Sequence, residues 1–278
     1  MPASSGATHV DNEAAIAPAG GTGPVPAVEA VRVRHAPRRV RAGLPRIVVM
    51  GEFNAGKSSL VNVLLGCAAL PAGIAERTTL PVLVGHGARP SLTAELRDRR
   101  RIPAAWDALH RLAPHDVQQL RLRLPLPQLE TFDIVDTPGL ASGLDYLDET
   151  AARACRRADM VVWCTPAPQA WKASEQRAWL ALPPRLRHTS VLAVTYKDAI
   201  ASESDARRLM ARLPMQAGGH FRHIALLSNV DAIRARPAPN RDTDAHAWHW
   251  SGGAAFAEAM RSALSAIGRQ RTPALATV

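Results

Sequence analysis

Gly51-Glu52-Phe53-Asn54-Ala55-Gly56-Lys57-Ser58 fits the spacing G-x-x-x-x-G-K-[ST] without a gap. The short apolar run Arg46-Ile47-Val48-Val49-Met50 precedes it, and Ser59-Leu60-Val61-Asn62-Val63-Leu64-Leu65-Gly66 follows as a helix closed by a glycine. Strand, glycine-rich loop and helix in that order are the context that gives the motif meaning. The glycines let the backbone curl so that successive N–H groups point inward at phosphate oxygens. The helix N-terminus adds partial positive charge. Gly51, Asn54, Ala55, Gly56, Lys57, Ser58 and Ser59 are the expected nucleotide contacts. Lys57 is expected to reach the β- and γ-phosphates, and the Ser58 hydroxyl to ligate Mg²⁺.

Lysine usage sharpens this reading. The chain has 34 Lys plus Arg, yet lysine stands only at Lys57, Lys172 and Lys197. Where arginine has taken almost every basic position, a surviving lysine marks a need for a compact ammonium on a flexible stem. Lys57 is one such place and Lys197 another.

The remaining composition sets bounds. A chain of 278 residues, 47% hydrophobic, can bury one substantial core. No apolar run approaches the length of a membrane span and no signal-peptide core opens the chain, so a cytoplasmic location is expected. Cys67, Cys155 and Cys164 lack metal-ligand spacing and read as buried thiols. The net charge of +10 gathers at Arg32, Arg34, Arg38, Arg39 and Arg41, at Arg97, Arg99, Arg100 and Arg101, and at Arg153, Arg156 and Arg157. No aromatics are interleaved as a single-strand-binding surface requires, so nucleic acid is not the expected partner. A solvated surface is preferred, with peripheral contact to an anionic membrane as the alternative.

Residues 1–28, rich in Ala, Gly, Pro and Ser, are expected to be disordered. Residues 29–45 form a basic lead-in whose Val31, Val33 and Val40 are candidates to pack on the domain, and residues 46–278 form the domain itself. Candidate strands are Ile47–Met50, Thr131–Val135, Met160–Cys164, Ser190–Thr195 and His223–Leu227, with helical patterns over 57–66, 172–182 and 202–213. Strands alternating with helices imply an α/β fold with a mainly parallel sheet and helices on both faces. Leu80–Val84 and Leu92–Leu96 are expected as a hairpin at its edge. A helix over 253–268 carries Phe256, Met260, Ala263, Leu264 and Ile267 on one stripe, which is expected to pack on the sheet or on a partner helix.

Three further motifs fall after strands. Phe132-Asp133-Ile134-Val135 runs into Asp136-Thr137-Pro138-Gly139, where Asp136 would hold the magnesium shell and Gly139 offer its N–H to the γ-phosphate. Val191-Leu192-Ala193-Val194 leads into Thr195-Tyr196-Lys197-Asp198. Asp198 would accept the N1 and N2 hydrogens of guanine while the Lys197 stem lies across the base, and adenine would leave that buried carboxylate unsatisfied. Ser228-Asn229 follows the last strand and would meet the base through backbone groups. In Arg77-Thr78-Thr79-Leu80, Thr79 is preferred over Thr78 as the switch threonine that completes the magnesium shell.

The order GEFNAGKSSLVNVLLG, ERTTLPV, DTPG, ADMVVWCTPAPQAWKASE and TYKD resembles the GTPase domain of bacterial dynamin-like proteins over roughly residues 45–230. The T-x-K-D form and the segment from Gln169 to Glu175 carry the likeness beyond a generic P-loop GTPase. The resemblance implies GTP and GDP as ligands, Mg²⁺, slow turnover, and stimulation when two nucleotide faces meet in a homodimer. About fifty residues follow Ser228, room for one or two helices, whereas the family continues into long helical stalks. Membrane remodelling by this chain alone is therefore not expected; a lone GTPase domain, a regulator, or one half of a machine whose heteromeric partner supplies the stalk are the alternatives.

Leu140 follows D-T-P-G where many small GTPases carry a water-orienting glutamine, so that function must be imported. Asn54 stands where a neutral oxygen would hold K⁺ between the phosphates, neutralising charge on the bridging oxygen as an arginine finger does; its other reading is a structural bond across the loop. With Lys57 and Thr79 it completes the expected catalytic set. A ribosome- or RNA-associated GTPase and a nucleotide-binding scaffold with little hydrolysis are the competing functions.

Overall fold

The β1 strand, Arg46–Gly51, buries five of its six residues, and a run apolar on both faces belongs in the middle of a sheet. It lies there. In the computed structural model, which describes residues 43–71, 80–111, 115–140, 145–236 and 244–271, β1 pairs in parallel with β6 (Asp133–Asp136) and β7 (Met160–Pro166). The parallel run continues through β8 (Val191–Thr195) to β9 (His223–Leu226). On the other side of β6 come β2 (Val82–His86), β5 (Val117–Leu124), β3 (Ser91–Leu96) and β4 (Arg101–Pro103), giving the order β4-β3-β5-β2-β6-β1-β7-β8-β9. The expected disorder of residues 1–28, and Val31, Val33 and Val40 of the lead-in, lie outside the described residues.

Helices cover both faces. On one, α1 (Lys57–Leu65), α5 (Asn229–Ala235) and the long C-terminal α7 (Gly253–Arg271) enclose Leu60, Val61, Ile134, Val162 and Phe256. On the other, α2 (Asp145–Arg156), α3 (Ala173–Leu180) and α4 (Glu203–Ala217) enclose Val48, Cys155, Trp163, Trp179 and Leu213. A short α6, Ala245–Trp250, precedes α7. Among the described residues no helix is long and apolar enough to cross a membrane.

Four expectations need correction. Leu80–Val84 and Leu92–Leu96 do not form a hairpin: β2 and β3 are separated by β5, which pairs in parallel with β2 and antiparallel with β3. The hairpin is instead β3–β4, closed through Arg97–Arg100 with Arg99 at positive φ. Helix α4 runs past Pro214 to Ala217, because Leu213 and Ala217 bury on either side of the proline and outweigh its one lost hydrogen bond. Among the described residues three helices, not one or two, follow Ser228. Cys155 and Cys164 are buried, and desolvation pushes the Cys155 thiol up to about 12, but Cys67 is exposed just beyond the Gly66 cap of α1.

The stripe on α7 faces the sheet: Phe256, Met260, Ala263 and Ile267 are buried against β8 and β9. Phe256 is 1% exposed, whereas Val230 on α5 is 50% exposed. Phe256→Ala should therefore cost about 3–5 kcal/mol in urea denaturation, and Val230→Ala under about 0.5 kcal/mol.

Candidate functional site

At the carboxyl end of β1 the chain turns through Gly51 at φ 148° and Gly56 at φ 79°. A Cβ on Gly51 would stand 2.3 Å from the Cys164 carbonyl oxygen, and one on Gly56 2.9 Å from Asn229 Nδ2, so glycine is required at both. Asn54 also holds positive φ, which asparagine tolerates better than most side chains. The outward carbonyls of this loop are each met by a donor from elsewhere. Lys57 Nζ donates to Glu52 O at 2.7 Å, and the Tyr196 hydroxyl to Asn54 O at 2.8 Å. Thr195 Oγ1 donates to Ala55 O and Asn229 Nδ2 to Gly56 O, both at 3.0 Å. Gly51 O accepts from the Leu140 amide, and the Phe53 amide donates to Leu140 O.

The other sequence-predicted residues converge here. Ser58 Oγ donates to Asp136 Oδ2 at 2.6 Å, with both residues buried at the start of α1 and the end of β6. A hydroxyl and a carboxylate side by side are a hard-oxygen pair of the kind Mg²⁺ takes, so the donor set fits that ion. Gly139 passes against Phe53, where a Cβ would lie 2.7 Å from the Phe53 Cα. Ser59 sits in the first turn of α1 beside Ser58. Thr78 and Thr79 lie outside the described residues.

Lys197 and Asp198 form a short 3-10 turn after β8 and line a cavity of about 270 Å³ with Ser228, Trp250 and Ser251. Lys197 Nζ donates to the Trp250 carbonyl and lies 5.0 Å from the centroid of its ring. Ser228 caps α5 by accepting from the Asp231 amide, and its own N–H donates to Ser251 O. That amide is therefore committed within the protein. Asn229 is buried, and its Oδ1 has no hydrogen-bond partner among the described residues.

Two features escaped the sequence reading. Trp250 and Ser251 reach the Lys197 turn from α6, fifty residues downstream, in a stretch without a motif. The second is what the segment Trp171–Glu175, noted in the sequence only for its resemblance, does at the phosphate loop. Lys172 pairs with Glu52 at 2.5 Å and Ser174 Oγ donates to the same carboxylate at 2.7 Å. Burial opposes the charge on Glu52, but these two donors outweigh it and hold the carboxyl below its usual value. The third lysine thus also grips the phosphate loop, a signal present in the lysine count. Glu175 is buried beneath it and accepts from Trp163 Nε1, Thr165 Oγ1 and the Lys172 amide. Burial raises its carboxyl, against the pull of those donors.

Comparison with known proteins agrees with this geometry. Residues 47–181 match the model of the Dynamin family. Dynamin-like protein 2 of Campylobacter jejuni is 30% identical over 166 residues, covering 56% of this chain and 26% of that protein. Isoniazid-induced protein IniC of Mycobacterium tuberculosis is 36% identical over 105 residues, covering 35% and 21%. The chain thus spans about a quarter of the length of these curated relatives. A solved structure of an oligomerised bacterial dynamin pair, described as sensing and tethering membranes over long range, superposes with a TM-score of 0.58 at 20% identity. That likeness covers 82% of this chain and 37% of the other and shows a shared fold.

Glutamine at position 175 would keep one acceptor oxygen for three donors and leave buried N–H or O–H groups without partners. Glu175→Gln should lower unfolding free energy by about 1–3 kcal/mol in urea denaturation, and a wild-type midpoint would count against this role.

Proposed function

We propose that the chain is a dynamin-family GTPase domain that binds GTP with Mg²⁺ and hydrolyses it to GDP and phosphate, a reading supported by the match of residues 47–181 to the Dynamin family. The observation that carries this reading is the joining of three motifs at one loop. Ser58 meets Asp136, and Thr195 and Tyr196 of the T-Y-K-D turn hold the carbonyls of Ala55 and Asn54. A turn that reads the base is thereby tied to the loop that holds the phosphates.

Each residue has a part that follows from its chemistry. Inward N–H groups of residues 54–59 and the N-terminus of α1 receive the phosphates. The Lys57 ammonium balances β/γ charge, and Gly139 presents its N–H to the γ-phosphate. Ser58 and Asp136 would hold Mg²⁺, with Thr79 the expected further ligand, and the ion would supply charge neutralisation at the phosphates. Asp198 accepts from the guanine edge, the Lys197 stem covers the base, and the orphaned Oδ1 of Asn229 offers one more acceptor near the loop.

Leu140 is bonded into the loop and buried, and leucine cannot orient water. The missing stabilisation comes from outside the protomer. We read Asn54 as the ligand of a K⁺ ion and a second copy, or a related chain, as the lid that excludes water. Phe53 of the phosphate loop and Trp250 beside Lys197 support such pairing: both are large, apolar and more than half exposed. The membrane tethering described for the bacterial dynamin pair extends the proposal to assembly beside an anionic membrane.

Nucleotide titration tests base reading. Lys57→Ala should abolish binding, and Asp198→Asn should shift preference from guanine to xanthine nucleotides; equal affinity of the unmutated chain for ATP and GTP would refute the assignment.

Turnover per molecule should rise with protein concentration, and potassium should exceed sodium. An effect of this kind is worth about 10³–10⁵ in rate where it operates. If turnover ignores concentration, pairing fails; if sodium equals potassium and Asn54→Ala is silent, the cation role fails.

A further inference from the structure

The turn after β8 sends two neighbouring side chains to different places. Lys197 Nζ donates to the Trp250 carbonyl on α6. Tyr196 does not follow it. Its hydroxyl donates to Asn54 O of the phosphate loop at 2.8 Å. The phenol ring therefore spans the gap between the turn that carries Asp198 and the loop that carries Lys57. Its backbone stands at φ 59° and ψ 43°, in the left-handed region, where a bulky side chain is an outlier. Such strain persists where the surroundings enforce it, and it gathers at ligand sites.

Bracing the loop does not account for this residue. Thr195, next to it, holds the adjoining carbonyl, Ala55 O, with a small hydroxyl on a fully buried side chain. A brace thus takes one hydroxyl and no ring. Tyr196 instead keeps 38% of its surface exposed, so part of a large aromatic ring is withheld from the core. Fixed at the turn by its backbone and at the loop by its hydroxyl, that ring is a flat surface held in place before any ligand arrives.

A nucleotide that sets its base at Asp198 and its phosphates at residues 54–59 runs alongside this ring. We propose that Tyr196 provides the face on which the base of the nucleotide stacks, with the bond to Asn54 O holding the ring in that attitude. The inference rests on the base site proposed above and adds to it a surface for the plane of the base, whose edge Asp198 reads. Every base has a π-face, so stacking adds affinity without choosing among bases; selection stays with Asp198.

The test is calorimetric titration of GDP and of inorganic pyrophosphate, with Mg²⁺, into the full chain, Tyr196→Phe and Tyr196→Ala. Circular dichroism establishes that each variant is folded. Tyr196→Phe keeps the ring and loses one hydrogen bond, so both ligands should weaken by the same factor, about two- to tenfold. Tyr196→Ala should weaken pyrophosphate no further, yet weaken GDP by about five- to hundredfold beyond Tyr196→Phe. A second readout separates contact from bracing. The chain has two tyrosines, Tyr146 and Tyr196, so fluorotyrosine labelling gives two fluorine resonances, assigned by Tyr196→Phe. The ring current of the base should make GDP shift the Tyr196 resonance further than pyrophosphate does. Equal GDP affinity of the Phe and Ala variants, or equal shifts with GDP and pyrophosphate, overturns the stacking role and leaves the base site standing. Failure of the unmutated chain to bind GDP overturns both.

Discussion

The phosphate loop depends on where its carbonyl groups go. In a trans peptide the C=O and N–H point in opposite directions, so fixing one fixes the other. Here the carbonyls of Glu52, Asn54, Ala55 and Gly56 are met by Lys57, Tyr196, Thr195 and Asn229. Three of those donors come from the ends of β8 and β9, more than a hundred residues away. The loop is therefore shaped by the parallel half of the sheet and not by its own sequence alone. This also explains why threonine serves at the head of T-Y-K-D: its hydroxyl reaches both Ala55 O and Thr165 O, joining β8 to the loop and to β7.

Behind that contact stands a second one. Glu52, inside the loop, is held by Lys172 and Ser174 of the Trp171–Glu175 segment, and Glu175 secures the backbone of that segment from below. The Trp163, Trp171, Trp179 and Phe221 rings pack edge-on or tilted around it, so the anchor is both polar and dense. The chain keeps lysine at three positions, and each touches this end of the molecule. A compact ammonium can enter a crowded loop that a planar guanidinium cannot.

Much of this was legible in the residues. Continuous apolar runs marked β1, β7 and β8 because those strands are buried on both faces, and the motifs located the carboxyl ends where the site is built. The edge was read poorly. Strand β5 shows a clear period of two, with Leu120 and Leu122 buried against Arg121 and Arg123, but its place between β2 and β3 depends on pairing across thirty residues. Local pattern carries no information about that order. Trp250 and Ser251 were invisible for the same reason: their approach to Lys197 follows from how α6 folds back, and no spacing rule encodes it.

The strand order divides the labour of the sheet. The parallel strands β6, β1, β7, β8 and β9 all end at the nucleotide side, where loops with N–H groups and helix N-termini gather favourable potential for phosphate. The strands β2, β5, β3 and β4 extend the sheet past the cover of α2, and an uncovered sheet face must be polar. There Glu95 is matched by Arg121 and Arg101. Strand β1 runs from Arg46 to Gly51, so the phosphate loop is hung from the carboxyl end of one buried, six-residue element.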